Sequence, residues 1–161
     1  RLEEEDVGYM YHSMDILIQQ SRFASSTGLL NSYDFFHIVP TSKPIISPPE
    51  VITEYVEILD GDGAIDLTGK ISGSPPLKNR EGSWEFIVLP PYDFYETYNK
   101  AMKYLHGSEV KVRLVDDDPK YYYIGRLMVG DPKAENSFNY FSLNYIFQPF
   151  KEDVISGVQD L

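Results

Sequence analysis

Residues 82–115 read GSWEFIVLPPYDFYETYNKAMKYLHGSEVKVRLV, and this stretch decides the fold class. From Gly82 to Leu89 it carries Trp84, Phe86, Ile87 and Val88, residue types that fit a pleated, half-buried surface. Pro90 and Pro91 then end the strand. Beyond them apolar side chains recur at Phe94, Tyr98, Met102 and Leu105, a spacing that puts all four on one helical face. Tyr95 and Ala101 are expected to fill the same stripe. Pro91 stands where a first-turn proline is tolerated. Asp93 and Glu96 lie near the positive end of the helix dipole, Lys103 and His106 near the negative end. Gly107 supplies a left-handed stop. The pattern predicts a helix over 91–106 whose stripe faces a sheet. From Val110 to Val115 apolar and basic residues alternate, as in a half-buried strand.

Working outward, the rest of the chain reads as strands and connectors. The acidic run Glu3 to Asp6 is a solvated segment. Tyr11 to Ile18 is a first strand, and residues 19–33 are a polar, Ser-rich loop broken at Gly28. Phe35 to Val39 is a short strand stopped by Pro40. Residues 40–49 carry Pro40, Pro44, Pro48 and Pro49, and proline lacks the N–H that a central strand needs, so this is an extended connector. Glu50 to Leu59 alternates as a strand with one apolar-leaning face. Asp60-Gly61-Asp62-Gly63 is a turn, Ala64 to Ser72 forms short extended pieces, and Gly73-Ser74-Pro75-Pro76 breaks the pattern. On the C-terminal side, Asp116 to Lys120 turns the chain. Strands follow at Tyr121 to Val129 and Phe138 to Phe147, joined by Gly130-Asp131-Pro132. There is no internal repeat. The expected fold is α+β and mostly β: an antiparallel β-sandwich or split barrel with one flanking helix. Residues 1–150 are expected to form a single domain and 151–161 a polar tail.

Composition narrows the function. In 161 residues, 42% are hydrophobic, which is enough for a core and excludes wholesale disorder. Thirteen Tyr and nine Phe make the chain unusually aromatic. A net charge of −11 with no Lys/Arg cluster argues against phosphate-neutralising nucleic-acid binding. It leaves room for a surface past which DNA slides without sticking. With no cysteine, disulfides and thiolate metal sites are impossible. No apolar run of membrane-spanning length and no secretory signal is visible.

The motifs that could carry chemistry fail on spacing. Counting a calcium loop from Asp60, with Asp62 and Asp66, places Ala64 at the third ligand, Ile65 at the glycine and Ile71 at the bidentate glutamate. Asp116, Asp117 and Asp118 are adjacent on an extended chain and so cannot converge on one ion. His12, His37 and His106 lack metal-ligand spacing. Gly61-x-Gly63 has neither the third glycine nor the helix of a dinucleotide fingerprint. Trp84 and Tyr121-Tyr122-Tyr123 suggest a stacking platform, but alternation turns Tyr122 away from its neighbours, so packing is the better reading. The residues point to no enzyme, no cofactor and no metal.

The order of local phrases goes further. Pro48-Pro49-Glu50-Val51 is followed by Gly61-Asp62-Gly63-Ala64-Ile65-Asp66-Leu67-Thr68, then by Asn79-Arg80-Glu81-Gly82-Ser83-Trp84-Glu85-Phe86. Tyr104-Leu105-His106-Gly107, Asp117-Asp118-Pro119, Tyr121-Tyr122-Tyr123-Ile124-Gly125-Arg126 and Gln148-Pro149-Phe150 continue the series. Across residues 8–150, with Gly8 to Leu17 as a weaker opening, the chain resembles the N-terminal domain of the distal tail proteins of long-tailed phages. That resemblance implies a fold related to tail-tube subunits. It implies a hexameric ring joining the tail tube to the tail-associated hub, often carrying receptor-binding proteins, with DNA ejected through the lumen. It places the protein in the virion tail tip, after assembly in the bacterial cytoplasm. Many relatives have a second C-terminal domain; the chain ends soon after Phe150, so an adaptor ring without that domain is expected.

A ring subunit must present two different complementary surfaces. The candidate assembly residues are Pro44, Ile45, Ile46, Pro48 and Pro49, in a proline-stiffened arm that loses little entropy on ordering. The alternative for that arm is packing along its own sheet. The alternatives for function are a carbohydrate-binding β-sandwich stacking sugars on Trp84 and exposed tyrosines, and a small hydrolase using Asp and His.

Overall fold

In the computed structural model, which describes residues 16–20, 29–31, 36–115, 118–135 and 138–161, the alternating segments assemble into one large antiparallel sheet. In chain order the strands are β1 (Ile16–Gln20), β2 (Leu29–Asn31), β3 (Ile38–Pro40), β4 (Tyr55–Glu57), β5 (Ala64–Asp66) and β6 (Arg80–Val88). The helix α1 (Phe94–Leu105) follows, then β7 (Glu109–Leu114), β8 (Tyr121–Glu135), β9 (Phe138–Asp153) and β10 (Gln159–Asp160). The main sheet runs β2-β1-β7-β8-β9-β6-β3, with β10 added against β9; β4 and β5 form a separate two-stranded sheet. The main sheet curls into a half-barrel, the open-sheet form of the expected fold.

One face of that sheet is the core, and the register shows why. On β9, Phe141, Leu143, Tyr145 and Phe147 are buried at every second position. Opposite them on β6 stand Phe86, paired with Phe141, and Trp84, paired with Leu143. On the other flank Leu127 pairs with Tyr145 and Val129 with Leu143. Val110, Val112 and Leu114 extend the face along β7. Gly125 has no side-chain alternative: a Cβ there would strike the Ile146 carbonyl across the strand pair.

The helix crosses the same face between β6 and β7, which two intervening strands separate. It starts three residues later than Pro91 suggested. Asp93 is the N-cap, its carboxylate accepting the Glu96 N–H at 2.9 Å, so the two prolines lie in the approach rather than the first turn. Phe94, Ala101 and Leu105 are buried and Tyr98 and Met102 pack on the core, as the stripe predicts. Tyr95 departs from it and is 65% exposed, because it sits to one side of the arc that faces the sheet. Gly107, at φ +70°, makes the left-handed exit, and its N–H donates to the Leu127 carbonyl at 2.7 Å.

Several strand boundaries differ from the pattern. Residues 11–15 and Phe35 lie outside the described residues, as do Asp116 and Asp117. Part of the loop expected at 19–33 is β structure: β1 reaches Gln20 and pairs with β2, Ile18 opposite Leu30. Pro40 belongs to β3, tolerated because β3 is an edge strand. Gly130-Asp131-Pro132 does not separate two strands but forms an irregularity within β8, between Val129 and Pro132. The expected tail at 151–161 instead continues β9 to Asp153 and returns as β10. The Asp153 carboxylate builds that turn, accepting the N–H groups of Ile155 and Ser156 at 2.8 and 2.9 Å.

Candidate functional site

The connector at 40–49 runs across the inner side of its own sheet. Trp84 Nε1 donates to the Ile45 carbonyl at 2.8 Å, the Ser47 N–H donates to Tyr145 Oη at 3.0 Å, and Arg80 Nη1 donates to the Ser47 carbonyl at 3.3 Å. Pro44 is buried and Ile46 packs on the core, whereas Pro49 is half-buried and Pro48 exposed. Ile45 alone of the two isoleucines points outward, 71% exposed. The five candidate residues are therefore split: Pro44 and Ile46 hold the strap down, Pro49 is half-buried, and Ile45 and Pro48 remain on the surface.

The larger exposed surface lies just beyond, between Glu50 and Asn79. This segment leaves the sheet as a hairpin limb and returns to it at Arg80. Its root is closed by the Val51–Leu77 bridge, by Ile52 N–H donating to the Pro76 carbonyl and Lys78 N–H to the Glu50 carbonyl, both 2.8 Å, and by a Lys78–Glu50 ion pair at 2.9 Å. Further out, Glu54 N–H donates to Thr68 Oγ1 at 3.0 Å and Leu67 N–H to the Glu54 carbonyl at 2.8 Å. β4 and β5 then pair Tyr55 with Asp66, Val56 with Ile65 and Glu57 with Ala64. At the tip Asp60 and Gly63 take positive φ, +58° and +86°, in the turn that the Asp-Gly repeat marks. An extended chain rises about 3.3 Å per residue, so the limb from Val51 to Leu59 can reach roughly 25 Å.

Among the described residues, none of the limb belongs to the core cluster. Its apolar side chains are exposed: Val56 and its partner Ile65 lie on one face of the ladder and Tyr55 on the other, and Val51, Ile52, Ile58 and Leu59 flank it, with Ile71 in the return loop. Leu59 is 94% exposed. A two-stranded hairpin is marginal alone in water, and exposed apolar patches on a soluble domain mark interaction surfaces. The strand expected from Glu50 to Leu59 is thus present only at Tyr55–Glu57, where all three residues are exposed. The pattern in sequence carried the alternation but not the partner. The dense Asp/Gly/Pro punctuation on either side of these apolar residues was the available signal that the segment stands apart.

The residues weighed for chemistry are placed as follows. Asp66 Oδ1 accepts the Thr68 N–H at 2.9 Å, and hydrogen bonds from Thr68 hold its carboxyl below the usual range. Asp118 pairs with Lys151 at 3.0 Å and accepts the Tyr123 hydroxyl at 2.7 Å. Burial, and then that hydrogen bond, push the Tyr123 hydroxyl well above the ordinary tyrosine range. His106 Nδ1 accepts the Val129 N–H at 3.1 Å, His37 stacks on Tyr92, and His12 lies outside the described residues. Among the described residues no three His, Asp or Glu side chains gather into a metal-binding group. Tyr123 faces the core while Tyr121 lies under Lys151, 4.3 Å from its ring centroid, so the tyrosine run is no platform. Trp84 is 5% exposed and packed against Tyr145, which rules it out as a sugar-stacking surface; its hydrophobic neighbours and its bond to the strap consume both its face and its N–H.

No family model matches the sequence, and no curated protein does. Among solved structures, the chain is similar to the crystal structure of the Dit protein (gp 19.1) of phage SPP1, described as a paradigm of the hub adsorption apparatus in phages that infect Gram-positive bacteria. The TM-score is 0.61 at 17% identity, over 86% of this chain and 52% of that one. The likeness is one of fold, and the chain spans about half the length of that protein.

Proposed function

We propose that this chain is a structural subunit of a phage tail tip. It closes head to tail into a hexameric ring that joins the tail tube to the hub and its receptor-binding proteins, and DNA passes through the lumen without specific binding. It is assembled in the bacterial cytoplasm and resides in the virion. The role is architectural rather than catalytic, and it requires no cofactor.

The hairpin limb carries this reading. It extends from a domain whose fold is shared with SPP1 Dit and exposes apolar side chains on both faces. Head-to-tail closure needs two different complementary surfaces, and a projecting apolar limb can supply one of them. The net charge of −11 suits a channel that repels phosphates. Three of the described carboxylates also have architectural work: Asp93 caps the helix, Asp153 holds a turn and Asp118 is ion-paired.

The test is the mass of the purified chain by sedimentation velocity over a wide concentration range, with negative-stain images of the assembled fraction. A ring of one defined size is expected. A chain that stays monomeric up to about 1 mM, where association would be weaker than roughly 4 kcal/mol, refutes the proposal.

A further inference from the structure

Beside the start of the helix, a groove of about 580 Å³ is lined by Tyr92, Tyr95, Phe138, Asp93 and Asn139, with Pro90 and Pro91 along its wall. All three rings are exposed although each is large and apolar. Two of them are also held in place. The His37 imidazole lies parallel behind Tyr92, 3.7 Å away with a 2° interplanar angle, and Tyr95 stands edge-on to the buried Phe94 at 5.3 Å. Rings fixed in this way offer contact area at little entropic cost.

We infer that this groove binds a pyranose unit of an oligosaccharide. A pyranose presents weakly positive C–H groups on its faces and hydroxyls around its rim. The electron-rich ring faces of Tyr92, Tyr95 and Phe138 complement the first. Asp93 and Asn139 complement the second: one Asp93 oxygen caps the helix, leaving the other to accept a hydroxyl, and the Asn139 amide both donates and accepts. Proline-rich peptides also dock in aromatic grooves. Their recognised polar atoms are carbonyl acceptors, which the Asn139 amide and the tyrosine hydroxyls can serve but the Asp93 carboxylate repels. The carboxylate therefore favours a ligand that also donates, as a sugar hydroxyl does. None of these residues belongs to the hairpin limb, so the inference stands apart from the assembly reading.

The test titrates the full chain with chitotetraose, cellotetraose and maltotetraose, each to about 10 mM, by calorimetry and amide chemical shifts, with a decaproline peptide in parallel. At least one tetrasaccharide is expected to bind and to shift residues around Tyr92 and Asn139. Tyr95→Ala and Phe138→Ala should each weaken binding roughly three- to tenfold, with unchanged melting, because both side chains are exposed. Asp93→Asn keeps a capping side chain and should weaken binding while the helix stays intact. The inference is overturned if no tetrasaccharide binds, if binding ignores these three substitutions, or if decaproline alone binds.

Discussion

Replacing Leu59 by Ser together with Ile65 by Thr separates assembly from folding. Leu59 is 94% exposed in the isolated chain, so its loss removes almost no burial. Ile65 is about half exposed, and Thr retains the β-branched shape that suits β5. Monomer stability should therefore fall by less than about 1 kcal/mol. If the limb lies against a neighbouring copy, the outcome there is different. Full burial of a leucine is worth about 1.5–3 kcal/mol, and the remaining half of an isoleucine roughly half of that. The sum is about 2–4.5 kcal/mol for each subunit contact, or a ~30- to 2000-fold rise in the concentration needed for association. Sedimentation velocity across a dilution series reads the second quantity, and urea denaturation of the monomer reads the first. The reasoning fails if the double variant assembles at the wild-type concentration while its monomer is equally stable, because the limb is then not at a contact.

Further outcomes follow from the same geometry. Phe141→Ala removes a fully buried ring packed against Phe86, Phe94 and Tyr98, and should cost about 3–5 kcal/mol in denaturant unfolding. Tyr145→Phe leaves the Ser47 N–H without its acceptor, and should cost about 1–2 kcal/mol and speed amide exchange in the strap. Ile46→Asp should destabilise the monomer by placing a charge against the core, whereas Ile45→Asp should leave melting unchanged and report on assembly alone. Hydrogen bonds from the Ser156 and Ile155 N–H groups hold the Asp153 carboxyl below its ordinary range. A depressed folded pKa stabilises fully above the unfolded value, about 4, and that contribution is lost as pH falls through the folded one. The β9–β10 turn should therefore loosen only in acid, below the usual carboxylate range, as read by amide exchange at Ile155 and Ser156. Asp153→Asn should remove that dependence.

The sequence by itself determined the elements whose signals are local. The stripe from Phe94 to Leu105 and the stop at Gly107 specify the helix, because helical periodicity and a left-handed terminus are written within a few residues. The strands around Trp84, Val112 and Leu143 were legible from alternation for the same reason. Tertiary structure decided what each apolar face meets. The strands β4 and β6 both alternate, yet β6 lies between β9 and β3 while β4, among the described strands, pairs only with β5, out in solvent. Ile45 and Ile46 are chemically identical neighbours, and only the path of the strap over Trp84 and Tyr145 turns one to the core and the other outward. The aromatic groove likewise exists only because the chain brings Tyr92, from the approach to the helix, beside Phe138 at the start of β9. Periodicity states that a face is apolar; which surface covers it depends on contacts between residues far apart in the chain, and these have no local signature.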